Sequence, residues 1–267
     1  MRLSILLGII KRKIGSKLMD LILYLLVVVV GFIAGFINTL AGSGSLLTLP
    51  VLIFMGLDAG VANGTNRIAI LLQSIVGVGG FKQKKVFEWK DGLWLTIPSI
   101  IGVFFGSMMA VNLDAQLMNR IIGVLLVVMF LIILFKPEKW VNEHAGKVKS
   151  NPSTLSFIIF FAIGFYGGFI QVGVGFFLLT GLVLGAGYDL LKANAIKVFI
   201  VLVFTIVALG VFIYNKQVNF LLGFILGVGS MFGAWVATHI AVKRGVSFIR
   251  WFLLVAVLAF AVKMLFF

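Results

Sequence analysis

The chain has 267 residues, 62% of them hydrophobic and 11% charged, with a formal net charge of +14 and no cysteine. That apolar share exceeds the roughly 45–50% of soluble domains and places the chain among integral membrane proteins. Disulfides, thiolate chemistry and cysteine-bound metals are excluded, and the Lys and Arg between apolar spans read as loop topology rather than nucleic-acid binding.

Residues 1–20, MRLSILLGIIKRKIGSKLMD, lack the order of a cleavable signal peptide. Their Lys11, Arg12, Lys13 and Lys17 suit a basic segment on the lipid surface. A first membrane repeat is expected at 21–135, a polar linker at 136–152 and a second membrane repeat at 153–267. A transmembrane helix needs about 20 apolar residues. Residues 21–57 run charge-free for longer than one span requires and are interrupted by AGSGS. A broken or re-entrant helix fits, because backbone opens inside a membrane only where protein or water satisfies it. ANGTNR at 62–67 then reads as a helix start capped by Asn63 or Thr65. Only residues 68–81 separate Arg67 from Lys82, so the span must reach back past Arg67. That sets the guanidinium about two turns into the hydrocarbon. Charge-free spans follow at 92–113 and 121–135. Beyond the linker, 153–188 is again over-long, with QVGVG as its interruption, and further spans lie at 198–215, 217–238 and 251–262.

The chain repeats itself. GFIAGFINTLAGSG at 31–44 aligns with GFYGGFIQVGVGFF at 164–177, and GLDAGVANGTNR at 56–67 with GYDLLKANAIKV at 187–198. Asp58 falls on Asp189, Asn63 on Asn194, Asn66 on Lys197 and Gly92 on Gly223. Duplicated halves with interrupted helices in matching places point to the central site of a transporter. The expected fold is an all-α integral, multi-pass membrane protein of about eight transmembrane segments in two homologous halves. The first segment of each half is broken or re-entrant. The basic loops at 82–91 and 239–250, set against 111–119 without Lys or Arg and 214–220 with only Lys216, favour inverted halves. A plain count of eight spans favours parallel ones, and both remain open.

Arg67, with Asn63, Thr65, Asn66, the step Gly42-Ser43-Gly44 and Lys197 from the second half, forms an anion-binding constellation. The blander reading has Arg67 snorkelling and the small residues serving helix packing, which is also how the GxxxG pairs Gly31/Gly35 and Gly164/Gly168 read. All eight carboxylates lie in or beside loops, so no buried carboxylate relay or sodium site is expected. Asp58 and Asp189 are the coupling candidates, with helix capping as their plainer use. The two histidines make no metal pair, and no hydrolase motif is present, so neither an enzyme, a metal nor a cofactor is expected.

These segments, with GGFKQKKV in the first half and GFYGGFIQVGVGFFLL and ANAIKVFIV in the second, resemble the TauE/SafE sulfite exporters. The resemblance implies a secondary transporter in the cell membrane that moves sulfite, sulfonates or related organic acids, usually outward, without a cofactor. By position it implies pathway residues Asn38, Gly42, Gly44, Asn63, Thr65, Asn66 and Arg67, with counterparts Gln171, Gly175, Asn194 and Lys197. GVGFF stands where the first half has the polar GSGSL, so the second copy is the less polar one. An anion channel using the same pathway is the alternative. The partners expected are a small anion and the lipid bilayer, with no nucleic acid; the oligomeric state is left open.

Overall fold

The computed structural model describes residues 16–86, 89–134 and 154–240. Residues 1–15 of the basic N-terminal segment, the whole linker 136–152, the basic residues beyond 240 and the span at 251–262 lie outside the described residues, while Ser16 to Asp20, with Lys17, open the first helix. Among the described residues the chain is all-helical. Helices α1 (Ser16–Leu40), α2 (Ser45–Phe54), α3 (Ala59–Gln83), α4 (Trp89–Val111) and α5 (Ala115–Leu134) come before the linker. After it come α6 (Thr154–Phe169), α7 (Val174–Thr180, continued by a π turn Gly181–Gly185), α8 (Leu190–Tyr214) and α9 (Phe220–Ile240). Stretches in α1, α4, α5, α8 and α9 are long and apolar enough to cross a membrane, whereas α2, α6 and α7 with its π turn are shorter.

Both over-long apolar runs are interrupted where the glycine-rich steps predicted it. α1 stops at Leu40 and α2 starts at Ser45; α6 stops at Phe169 and α7 starts at Val174. Gly42 and Gly173 turn the chain at φ +78° and +69°, a conformation that costs a side chain-bearing residue about 1–2 kcal/mol.

One expectation needs correction. ANGTNR does not start a helix: α3 begins at Ala59 with Asp58 in the cap position, so Asn63 to Arg67 lie in its second and third turns. They escaped recognition as helix interior because their side chains bond to other helices instead of to their own N–H groups.

Helix directions follow from glycines that let backbones touch, the usual way helices associate when lipid offers no hydrophobic contrast. Gly31 meets Leu226 and Gly35 meets Ser230, so α1 and α9 run parallel. Gly223 lies on Ile68, Gly227 on Leu72 and Gly80 on Thr238, so α3 runs with them. Gly102 meets Phe161 and Gly106 meets Phe165, which makes α4 and α6 a second parallel pair. Across the centre, Gly77 touches Val198 while Gly64 touches Phe212, so α3 and α8 are antiparallel. The ends close consistently. Lys84 Nζ donates to the Thr238 carbonyl at one end. At the other, Gln217 Nε2 donates to the Val111 carbonyl (2.9 Å) beside Gly60 and Gly64 of α3. Therefore α1, α3 and α9 run one way and α4, α6 and α8 the other.

Candidate functional site

A helix that stops inside a bundle leaves its last carbonyls without intrahelical partners and carries a partial negative charge there. Both breaks create this problem, and each is answered by a cation from the opposite part of the chain.

At the end of α6, Ile170 N–H donates to the Tyr166 carbonyl at 2.8 Å, which leaves the next three carbonyls. Arg67 Nη1 donates to Gly167 O (3.2 Å) and Nη2 to Gly168 O (2.5 Å), and Asn63 Nδ2 donates to Phe169 O (2.8 Å). The guanidinium is fully buried and its Cζ sits 4.6 Å from the centroid of the Phe212 ring. At the end of α1, the Gly42 N–H points back at the Ile37 and Asn38 carbonyls. Lys197 Nζ donates to Asn38 O and Thr39 O, both at 3.1 Å, and also to Asn194 Oδ1.

The remaining polar residues brace these ends. Asn38 Oδ1 accepts from Gly44 N–H (3.0 Å) and so ties the two sides of the first break. Asn66 accepts from the Thr48 hydroxyl (2.7 Å) and donates to Ser45 Oγ (3.3 Å), fastening α2 to α3. Thr65 Oγ1 accepts from Asn219 N–H (2.8 Å) ahead of α9. Ser43 is buried in the turn, its carbonyl accepting from Leu46 N–H (3.1 Å). The two breaks touch: a Cβ on Gly42 would lie 2.3 Å from the Gly175 carbonyl carbon, and one on Gly175 2.4 Å from Gly42 Cα.

Where they meet is a cavity of about 20 Å³, room for one water-sized solute. Asn38, Thr39, Gly42 and Ser45 line it from the first break, Gln171, Val174 and Gly175 from the second, Gln73 and Ser74 from α3, and Lys197 from α8. Of the residues expected from sequence, Asn38, Gly42, Gln171, Gly175 and Lys197 reach this cavity. Ser43, Gly44, Asn63, Thr65, Asn66, Arg67 and Asn194 do not line it. Gln73 and Ser74 were not anticipated, although a Gln-Ser pair inside the apolar run 68–78 was a visible signal.

The coupling candidates are not brought together. Asp58 and Asp189 precede α3 and α8, which are antiparallel, so they stand exposed at opposite ends of the bundle. Asp189 caps its helix, Oδ1 accepting from Leu191 N–H (3.1 Å) and Lys192 N–H (3.0 Å). Asp58 occupies the cap position without a side-chain bond.

The chain is similar to known membrane transporters. A family model described as Sulfite exporter TauE/SafE matches residues 27–264. A probable membrane transporter protein, ORF9, of a Sinorhizobium species is 29% identical over 238 residues, covering 89% of this chain and 90% of its own. The probable membrane transporter protein YfcA of Escherichia coli K12 is 27% identical over 237 residues, covering 89% and 87%. A probable membrane transporter protein of Haemophilus influenzae is 25% identical over 221 residues, covering 83% and 86%. No solved structure matches the chain. The chain belongs to the TauE/SafE family, and it is a multi-pass membrane transporter rather than an enzyme.

Proposed function

We propose that this transporter is a carrier for a small anion such as sulfite, a sulfonate or a related organic acid, moved outward across the cell membrane. The observation that carries the reading is the cavity between the two breaks, which Lys197 helps to line and which has no Asp or Glu in its lining. A lone cation in a membrane interior needs an anionic partner or a set of dipoles. Lys197 has dipoles now, in the α1 carbonyls, and an anion is the stronger partner.

Antiparallel α3 and α8, with the pairs α1·α9 and α4·α6, support inverted repeats around that cavity. Adding the apolar stretch 251–262 gives eight long or near-spanning segments, with α2 and α7 as half-length returns. The returns reconcile an eight-segment count with inverted halves, since each sends the chain back before the next crossing. The small cavity favours a carrier over a channel, which needs a continuous path.

Purified protein in proteoliposomes should move at least one of sulfite, methanesulfonate, sulfate or acetate, and Lys197→Gln should abolish that flux. Failure of wild type to move any of the four, or full flux in Lys197→Gln, rejects the reading.

A further inference from the structure

Gln73 and Ser74 are 5% and 1% exposed, and both line the cavity. Among the described residues neither side chain makes a hydrogen bond, although Ser and Thr elsewhere in these helices bond back to their own turn, as Ser99 and Thr96 do. Across the cavity, Gln171 is 2% exposed; its Nε2 donates to Thr205 Oγ1 (3.1 Å), and its Oε1 has no partner. A hydroxyl both donates and accepts, so the Gln171 amide can turn either end to the cavity while keeping Thr205. Three buried polar side chains with free capacity thus converge on the space that holds Lys197. Buried polar groups are normally satisfied, and those left over call for an occupant.

We propose that Gln73 and Ser74 are substrate-contact residues, which with Gln171 bind the oxygens of the anion neutralised by Lys197, while Arg67 does not touch it. The proposal rests on the anion-carrier reading above. Ile70, Gln73, Ser74 and Gly77 share one face of α3 at spacings of three and four. Arg67 is two turns earlier than Ser74, about 10 Å along the axis, with its Nη groups committed to α6. A hydroxyl and carboxamides beside one lysine suit a compact oxyanion with several acceptor oxygens, which the cavity, now the size of one water, admits only as the two breaks part.

The chain lacks cysteine, so Ser74→Cys in the full-length protein carries a single thiol. Its modification by the anionic 2-sulfonatoethyl methanethiosulfonate is compared with that by the cationic trimethylammonioethyl reagent, each normalised to its rate with a free thiol. The anionic reagent should be favoured about tenfold, as expected of one nearby unscreened charge. Adding Lys197→Gln should erase the preference, and adding Arg67→Gln should keep it; should Arg67→Gln not fold, the Lys197→Gln arm decides. In flux assays, Gln73→Leu and Ser74→Ala should each raise KM about tenfold for the transported anion, the loss typical of a hydrogen bond to a charge. An unreactive Ser74→Cys, a charge-blind rate, a preference that survives Lys197→Gln, or wild-type KM in both variants overturns the proposal. Absence of flux for every anion tested instead rejects the carrier reading, and the labelling result still stands by itself.

Discussion

Replacing Arg67 by Met tests whether this buried cation is a strut or a ligand. The side chain supplies the donors for Gly167 O and Gly168 O and stacks on Phe212. Leaving two carbonyls unmet inside the bundle costs about 1–3 kcal/mol each, and the lost ring contact about 0.5–2. Removing the ion also relieves its own desolvation, which is several kcal/mol in a dry interior. The net expected is a loss of about 2–4 kcal/mol, because Met fills the volume but meets neither carbonyl. Arg67→Lys should recover part of it, since an ammonium lacks the planar fork that spans both oxygens. Thermal unfolding in detergent, followed by tryptophan fluorescence, reads the stability; flux per folded molecule reads the function. A lowered Tm with unchanged KM in the folded fraction is expected. A variant with wild-type Tm and no flux would show that the guanidinium meets the substrate, and the strut assignment would be wrong.

Gly42→Ala and Gly175→Ala should each cost more than about 2 kcal/mol, because each Cβ overlaps the backbone of the other break. Gly56→Ala is the control: its φ is +94° but nothing lies within 4 Å, so only the strain of about 1–2 kcal/mol should appear in its Tm. Cysteines at Gln83 and His239 should react with an impermeant thiol reagent from the same side of the membrane, and cysteines at Asn112 and Asn215 from the other. Any mixed pattern rejects the antiparallel halves. Asp189→Ala should lose about 1 kcal/mol with its cap bonds, Asp58→Ala less, and neither should shift the pH profile of flux, which a coupling role would require.

The spans and both breaks were legible because long apolar runs and clustered glycines act locally. What each polar residue does was not, because its partner lies far along the chain. Asn63 and Arg67 look like an anion site at a helix start inside the membrane until the end of α6, about a hundred residues on, is set beside them. The glycine contacts are offset from the alignment of the two halves in one place. Sequence alignment pairs Gly31 with Gly164, whereas the packing puts Gly35 over Ser230 as Gly164 lies over Ser99, one turn away. Gly-rich helices tolerate such a slip in sequence because several glycines could make the same contact. Gln73 and Ser74 were overlooked for a different reason: two polar residues in an apolar run are seen at once, but only the fold says that their face meets the second break.

The two breaks use the same device with unequal freedom, and this suggests how binding could be tied to movement. Arg67 is held on α6 and under Phe212, with Asn63 completing the end of that helix. Lys197 has three N–H donors, and Asn38 O, Thr39 O and Asn194 Oδ1 already take all three. An anion that draws on the ammonium must therefore release an acceptor. Two of the three are the end of α1, which through Gly42 touches the second break at Gly175. Arrival of substrate and loosening of the first break would then be one exchange of partners. Lys197→Arg separates the two. A guanidinium has five donors, enough to keep both carbonyls and hold an anion as well. The variant should bind the anion as tightly as wild type or tighter, yet turn over more slowly, with KM and kcat falling together in proteoliposomes. If Lys197→Arg keeps the wild-type kcat, release of the α1 carbonyls is no part of the cycle, and Lys197 serves only as a fixed charge.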